Sequence, residues 1–213
     1  MPLSQDTSIG GMTTRIPRYF FLPGWQGSSP LHWQSRWQSR WSMNHSDHVH
    51  GVRVEQDDWH WPKRGDWMMR LDEALLADDT LLDQPAVLVA HSLGCHLVAA
   101  WAAHSKHVQR VRAAWLVAPP DLDDPARLAQ LPPQLHGWRA VVRQRLPFAA
   151  KVLASSNDTY STLERAQALA LDWGAQFECL GDMGHVNEAS GQGEWPEGRA
   201  SLQAWVQSLG GAQ

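Results

Sequence analysis

The stretch VLVAHSLGCHLVAAW, residues 88–102, constrains the fold more tightly than any other part of the chain. A short apolar, β-branched run passes into an Ala-rich helical pattern with only His91 and Ser92 at the corner. A strand that runs straight into a helix points to a parallel sheet, because parallel strands are joined by crossovers that carry the chain back over the sheet face. The corner side chain is then left at the carboxyl edge of the sheet, where ligands of such sheets gather.

The same alternation runs through the rest of the sequence. Apolar segments at 18–22, 48–56, 86–90, 111–118, 150–155 and 176–181 read as strands. Helical spacing follows from about Leu31, over 65–77, after Ser92, over 162–173 and over 199–209. This predicts an α/β protein of about six mostly parallel strands with helices on both faces and right-handed crossovers. Residues 1–17 read as a flexible N-terminal tail, and 18–213 as a single domain. The Pro-rich connection 119–148 is longer than the others, and such a stretch is either a functional cover or a loose loop.

Composition removes several function classes. A formal net charge of −4 argues against a polyanion-binding surface, so nucleic acid is not expected as a partner. The longest apolar runs, such as LVAAWAA at 97–103, fall far short of the roughly 20 residues that span a bilayer. The polar start MPLSQDTSIGGMTTRIPR lacks the apolar core of a signal peptide, which points to a cytoplasmic protein without membrane association. Cys95 and Cys179, one in a helical pattern and one in a strand, are not expected to pair. Of the thirteen tryptophans, Trp33, Trp37 and Trp41 recur every four residues and read as one buried helical face.

A serine hydroxyl is a poor nucleophile at neutral pH unless a base takes its proton and a third group fixes that base in the right tautomer. Ser92 lies in AHSLG, a form of G-x-S-x-G in which Ala90 replaces the first Gly. Asp158 in SSNDTY follows the fifth strand, and His185 in GDMGHVN follows the sixth. The order Ser, Asp, His along an alternating α/β chain is that of a nucleophile elbow, an acid and a base on one sheet edge. An oxyanion hole would take the backbone N–H of Leu93 and that of Trp25, with Gly24 letting that loop turn. Asp182, three residues before His185, reads as a turn former, His91 as a packing or tuning residue, and Cys95 as a small helix residue.

These residues resemble a known family, the small serine hydrolases of the YdeN type, a group that includes retinoblastoma-binding protein nine. The resemblance runs from Arg18 onward through LPGWQGSSPLHWQSRW, VEQDDW, LVAHSLGCHLVAAWA, LVAPPD, VLASSNDTYSTLERAQALALDWGAQF and LGDMGHVNEASGQGEWPEG. It implies a compact α/β-hydrolase fold with a small or absent cap at 119–148, a catalytic serine, aspartate and histidine at Ser92, Asp158 and His185, and esterase or peptidase activity. Thr159 stands where the family often has Pro after its acid.

The expected activity is therefore hydrolysis of a small ester or amide through an acyl-Ser92 intermediate, with no cofactor and no metal. Gly24, Trp33 and Trp59 are candidates for the substrate pocket, with Trp25 and Trp61 nearby. Arg127, Arg139, Arg143 and Arg145 could engage a carboxylate, although solvated cations explain them as well. A different class of function, a protein-interaction module on a hydrolase scaffold, would use the same tryptophans as a partner surface. A zinc site at Asp47, His48 and His50 lacks a convincing further ligand.

Overall fold

The computed structural model describes residues 18–43, 50–77, 84 and 86–210. Six strands, β1 (Arg18–Leu22), β2 (His50–Arg53), β3 (Ala86–His91), β4 (Val111–Val117), β5 (Ala149–Ala154) and β6 (Gln176–Cys179), form one sheet in the order β2-β1-β3-β4-β5-β6. Every neighbouring pair is parallel. The helices are α1 (Trp33–Met43), α2 (Arg64–Leu76), α3 (Leu93–His104), a single turn α4 (Pro125–Leu128), α5 (Leu163–Trp173) and α6 (Pro196–Ser208).

Strand alternation divides the core in two. Phe20, Leu22, Leu88, Ala90, Ala114 and Leu116 face α2, α3 and α5, whereas Tyr19, Phe21, Val87, Val89, Ala113 and Trp115 face α1 and α6. The chain moves one way across the sheet from β1 to β2 and the other way from β2 through β6. With right-handed crossovers that reversal puts α1 on the opposite face from α2, α3 and α5. Trp33, Trp37 and Trp41 fill the α1 face as one stripe, in ring contact with each other and with Trp195 ahead of α6. Such aromatic pairs add roughly 0.5–1.5 kcal/mol each beyond their buried area.

Two expected strands are shorter than read. Only four residues of 48–56 form β2, and β6 stops at Cys179 because Gly181, with φ of +75°, turns the chain toward the edge of the sheet. The last helix starts at Pro196 rather than Arg199, since Pro fits the first helical turn without a lost hydrogen bond. Asp47 and His48 of the zinc alternative, the tail 1–17 and the last three residues lie outside the described residues, and of His50 only the backbone in β2 is described. No helix among the described residues is long and apolar enough to cross a membrane.

Candidate active site

The strand order reverses between β1 and β3, and the loops that leave their carboxyl ends diverge there to open a crevice. Ser92 lies in that crevice at the end of β3. Its φ of 54° and ψ of −124° are a conformation that costs a non-glycine residue about 1–3 kcal/mol, held in place by the fully packed residues that precede and follow it. The Ser92 N–H donates to the Val117 carbonyl at 2.9 Å, and the Cys95 N–H returns to the Ser92 carbonyl at 2.9 Å.

Close packing explains the small residues around the elbow. A methyl group on Gly94 would lie 2.2 Å from the Leu22 carbonyl oxygen, so only glycine lets α3 start against the end of β1. A methyl group on Gly24 would lie 2.7 Å from Ser92 Cβ, which puts the Gly24–Trp25 backbone directly over the serine. Ala90 needs no such clearance. Its methyl group is fully buried among the core side chains on the α3 side of the sheet, with Leu22 and Leu116 as its strand partners.

The three sequence candidates meet in one line. Ser92 Oγ lies 2.9 Å from His185 Nε2, and His185 Nδ1 lies 2.8 Å from Asp158 Oδ2. A carboxylate can only accept, so the imidazole proton sits on Nδ1 and Nε2 is free to accept from Ser92. The other Asp158 oxygen takes the Tyr160 N–H at 2.8 Å. The two loops that carry Asp158 and His185 are sewn together by Ser155 Oγ, which takes the Met183 N–H at 2.8 Å, and by Asn157 Oδ1, which takes the Gly184 N–H at 2.6 Å. Asp182 lies away from this line and accepts from Ser156 Oγ at 2.5 Å.

Side chains on the α1 face hold the base loop from beneath. His91 Nε2 donates to the His185 carbonyl at 2.8 Å, and Trp33 Nε1 donates to the Val186 carbonyl at 2.8 Å. Burial drives the His91 pKa well below its ordinary value, so His91 is a neutral donor, not a second base. Burial likewise pushes the Cys95 thiol up, and its S–H donates to the Val117 carbonyl. Cys95 and Cys179 are both free thiols.

The expected pocket residues divide. Gly24, Trp25 and Leu93 line the same cavity as Ser92 and His185, a space of about 810 Å³. Trp33 and Trp59 do not line it, which corrects the expectation for both. Trp33 is fully buried in the α1 stripe, as its four-residue spacing with Trp37 and Trp41 requires. Trp59 packs edge-on against Trp67 and takes the Gln26 N–H on its carbonyl, so it supports the loop rather than the ligand. Trp61 is more than half exposed. Arg143 pairs with Asp123 and Asp172, the side chain of Arg127 lies outside the described residues, and among the described side chains no Lys or Arg lines the cavity.

Residues 119–148 form a partial cover. Pro120, Leu122, Ala126, Leu131, Pro132 and Leu135 make one apolar wall of the cavity. Asp121, also in that wall, receives Arg165 Nε at 2.6 Å and Nη2 at 2.9 Å, and its backbone N–H donates to the Tyr160 carbonyl at 2.9 Å. Burial opposes ionisation of Asp121, but Arg165 outweighs it and holds the carboxyl below the usual range. His96 Nε2 donates to the Pro120 carbonyl at 2.7 Å, and burial lowers the His96 pKa to about 4.

Two contributors escaped sequence reasoning. Gln34, buried in α1, donates to the Leu22 carbonyl at 3.2 Å and the Val89 carbonyl at 2.9 Å, and its Oε1 accepts from Ser28 Oγ. It thereby ties β1 and β3 together at the crevice. A glutamine beside the Trp33 stripe was the available signal. The second is the Asp121–Arg165 pair, whose aspartate lies in LVAPPD and whose partner looks like any exposed helix arginine.

Comparisons with known proteins agree with this architecture. The family profile described as serine hydrolase matches residues 19–204. A protein described as a YdeN-like hydrolase from Pectobacterium atrosepticum is 24% identical over 91% of this chain and 92% of its own, with a TM-score of 0.73. The ydeN gene product of B. subtilis is 19% identical over 90% and 99%, with a TM-score of 0.68. An esterase domain from a Rhodothermus marinus protein is 18% identical over 93% and 89%, with a TM-score of 0.62. Likeness at these identities carries the fold. No curated protein matches the sequence.

Proposed function

Because this chain belongs to the serine hydrolase family, we propose that it cleaves a small-molecule ester or amide through an acyl-Ser92 intermediate, with His185 as base and Asp158 as the residue that orients it. The observation that carries the reading is the unbroken hydrogen-bonded line from Ser92 Oγ to His185 Nε2 and from His185 Nδ1 to Asp158 Oδ2. His185 takes the hydroxyl proton as Oγ attacks the carbonyl carbon, and the carbonyl π electrons move to its oxygen. The backbone N–H groups of Leu93, at the start of α3, and of Trp25, beside Gly24, are the donors for that oxyanion. The tetrahedral adduct collapses and expels the alcohol or amine, protonated by His185. Water, deprotonated by the same imidazole, then releases the acid and restores Ser92.

The positive end of α3 adds to stabilisation of the oxyanion. An ester suits the site more readily than an amide, because the leaving alkoxide asks less of the acid. The esterase domain with the same fold supports that preference. Hydrolysis of 4-nitrophenyl esters by the wild type, falling by about 10⁴-fold or more in Ser92→Ala, is the expected result. Undiminished turnover by Ser92→Ala overturns the reading.

A further inference from the structure

The cavity has a chemically mixed lining. Besides the apolar wall of the cover it is lined by Ser29, His32, Asn187 and Glu188, together with Ser92 and His185. His32 is the unusual member. It is 97% buried by its 3% exposure, yet its Nε2 has no hydrogen-bond partner among the described residues.

The state of that nitrogen follows from its neighbours. His32 precedes α1, and its Nδ1 takes the Gln34 N–H at 3.2 Å, the bond of a helix N-cap. A backbone N–H can only donate, so Nδ1 is the acceptor and the proton of the neutral ring is on Nε2. Burial lowers the His32 pKa to about 4, opposed by Glu188 and reinforced by His185 and Arg53, so the ring is neutral at pH 7. The ring is held in place by contact with His91 and Trp33, at centroid distances of 4.7 and 5.2 Å. His32 lines the cavity, and a fixed, buried N–H donor without an acceptor there is a binding group for whatever brings one.

We propose that His32 recognises the substrate, its Nε2–H donating to an uncharged oxygen, a keto, ether or hydroxyl group, on the ester or amide cleaved at Ser92. This rests on the Ser92 reading and narrows its substrate class. The oxygen is uncharged because the Glu188 carboxylate stands close to His32 in the cavity lining. Glu188 remains ionised. Burial works against this, but a hydrogen bond from Ser29 and its own backbone N–H outweigh it. A carboxylate or phosphate there meets repulsion. The apolar remainder of the substrate lies against Leu122, Leu131 and Leu135 of the cover.

The test uses isosteric ester pairs, one member carrying a keto oxygen where the other has a methylene, placed in turn in the acyl and in the alcohol part. In one of the two placements the wild type favours the keto ester by about ten-fold in kcat/KM. His32→Ser keeps an oxygen for the Gln34 N–H but has no Nε2–H, and its ratio falls to about one. His32→Gln, with a terminal amide N–H, retains part of the preference. A wild-type ratio near one in both placements, or an unchanged ratio in His32→Ser, overturns the proposal. If the wild type turns over neither ester, the nucleophile reading fails instead. The dissociation constants of the same pairs, read from tryptophan fluorescence, then test His32 alone, and equal constants overturn it.

Discussion

From Ala86 to Trp101 every residue except Ser92 is buried, whereas over the same cavity the cover between 119 and 148 is mostly exposed or half-exposed. The elbow gets its geometry from packing against strands on both sides, with Gly94 pressed on the Leu22 carbonyl. The cover gets its geometry from a few long polar side chains. Arg165 grips Asp121 and Asp123, Arg143 grips Asp123 and Asp172, and Trp138 Nε1 reaches the Pro62 carbonyl at 2.8 Å. Packing fixes position to fractions of an ångström, as nucleophilic chemistry needs. Polar tethers hold a wall in place while leaving its residues free to vary with the substrate.

The sharpest separation of the two regions is expected in catalysis. Asp158→Asn removes the carboxylate that fixes the His185 tautomer and should cut kcat by about 10⁴-fold with the fold intact. A loss of only a few-fold on chromogenic esters would assign the acid elsewhere. The next test is steric. Gly94→Ala forces a methyl group against the Leu22 carbonyl and should destabilise the protein by about 3 kcal/mol or more in urea unfolding. Gly137→Ala, in the cover, meets no atom within 4 Å and should shift the midpoint by less than about 1 kcal/mol. Equal costs would erase the contrast.

Acid separates the regions less sharply. His32 and His91 beside the elbow and His96 under the cover all have pKa values lowered by burial. An unfolded histidine takes up a proton near pH 6.5, whereas folded His32 and His96 resist until about pH 4, so their stability contribution is full above pH 6.5 and declines as pH falls toward 4. His96→Leu should flatten that slope by its share in urea unfolding at several pH values. An unchanged slope would mean that His96 does not titrate with unfolding. Last and smallest, Leu131→Ala should lower kcat/KM a few-fold for medium-chain esters and leave acetate esters almost unaffected. A uniform loss would remove the cover wall from substrate binding.

Legibility in the sequence follows the same division. The strands and the three candidate residues could be read because each rests on local signals: β-branched runs, Gly94 two residues past Ser92, and an Asp and a His just past successive strands. The Ser92 elbow was visible as a missing loop. Trp33 and Trp59 were misplaced because an aromatic residue close in sequence to a catalytic loop gives no sign of which side of the sheet it occupies. For Trp33 the four-residue spacing was the stronger signal. His32, Gln34 and Asp121 act through partners 12 to 55 residues away or through a cavity, and no periodicity records that.

The central claim is that the hydroxyl of Ser92, activated by His185, attacks carbonyl carbon. A fluorophosphonate probe followed by mass spectrometry of the digested protein tests it most directly. The expected result is one adduct, on the peptide that contains Ser92, absent in Ser92→Ala and slowed by orders of magnitude in Asp158→Asn. An adduct on another residue, or equal labelling of Ser92→Ala, would contradict it.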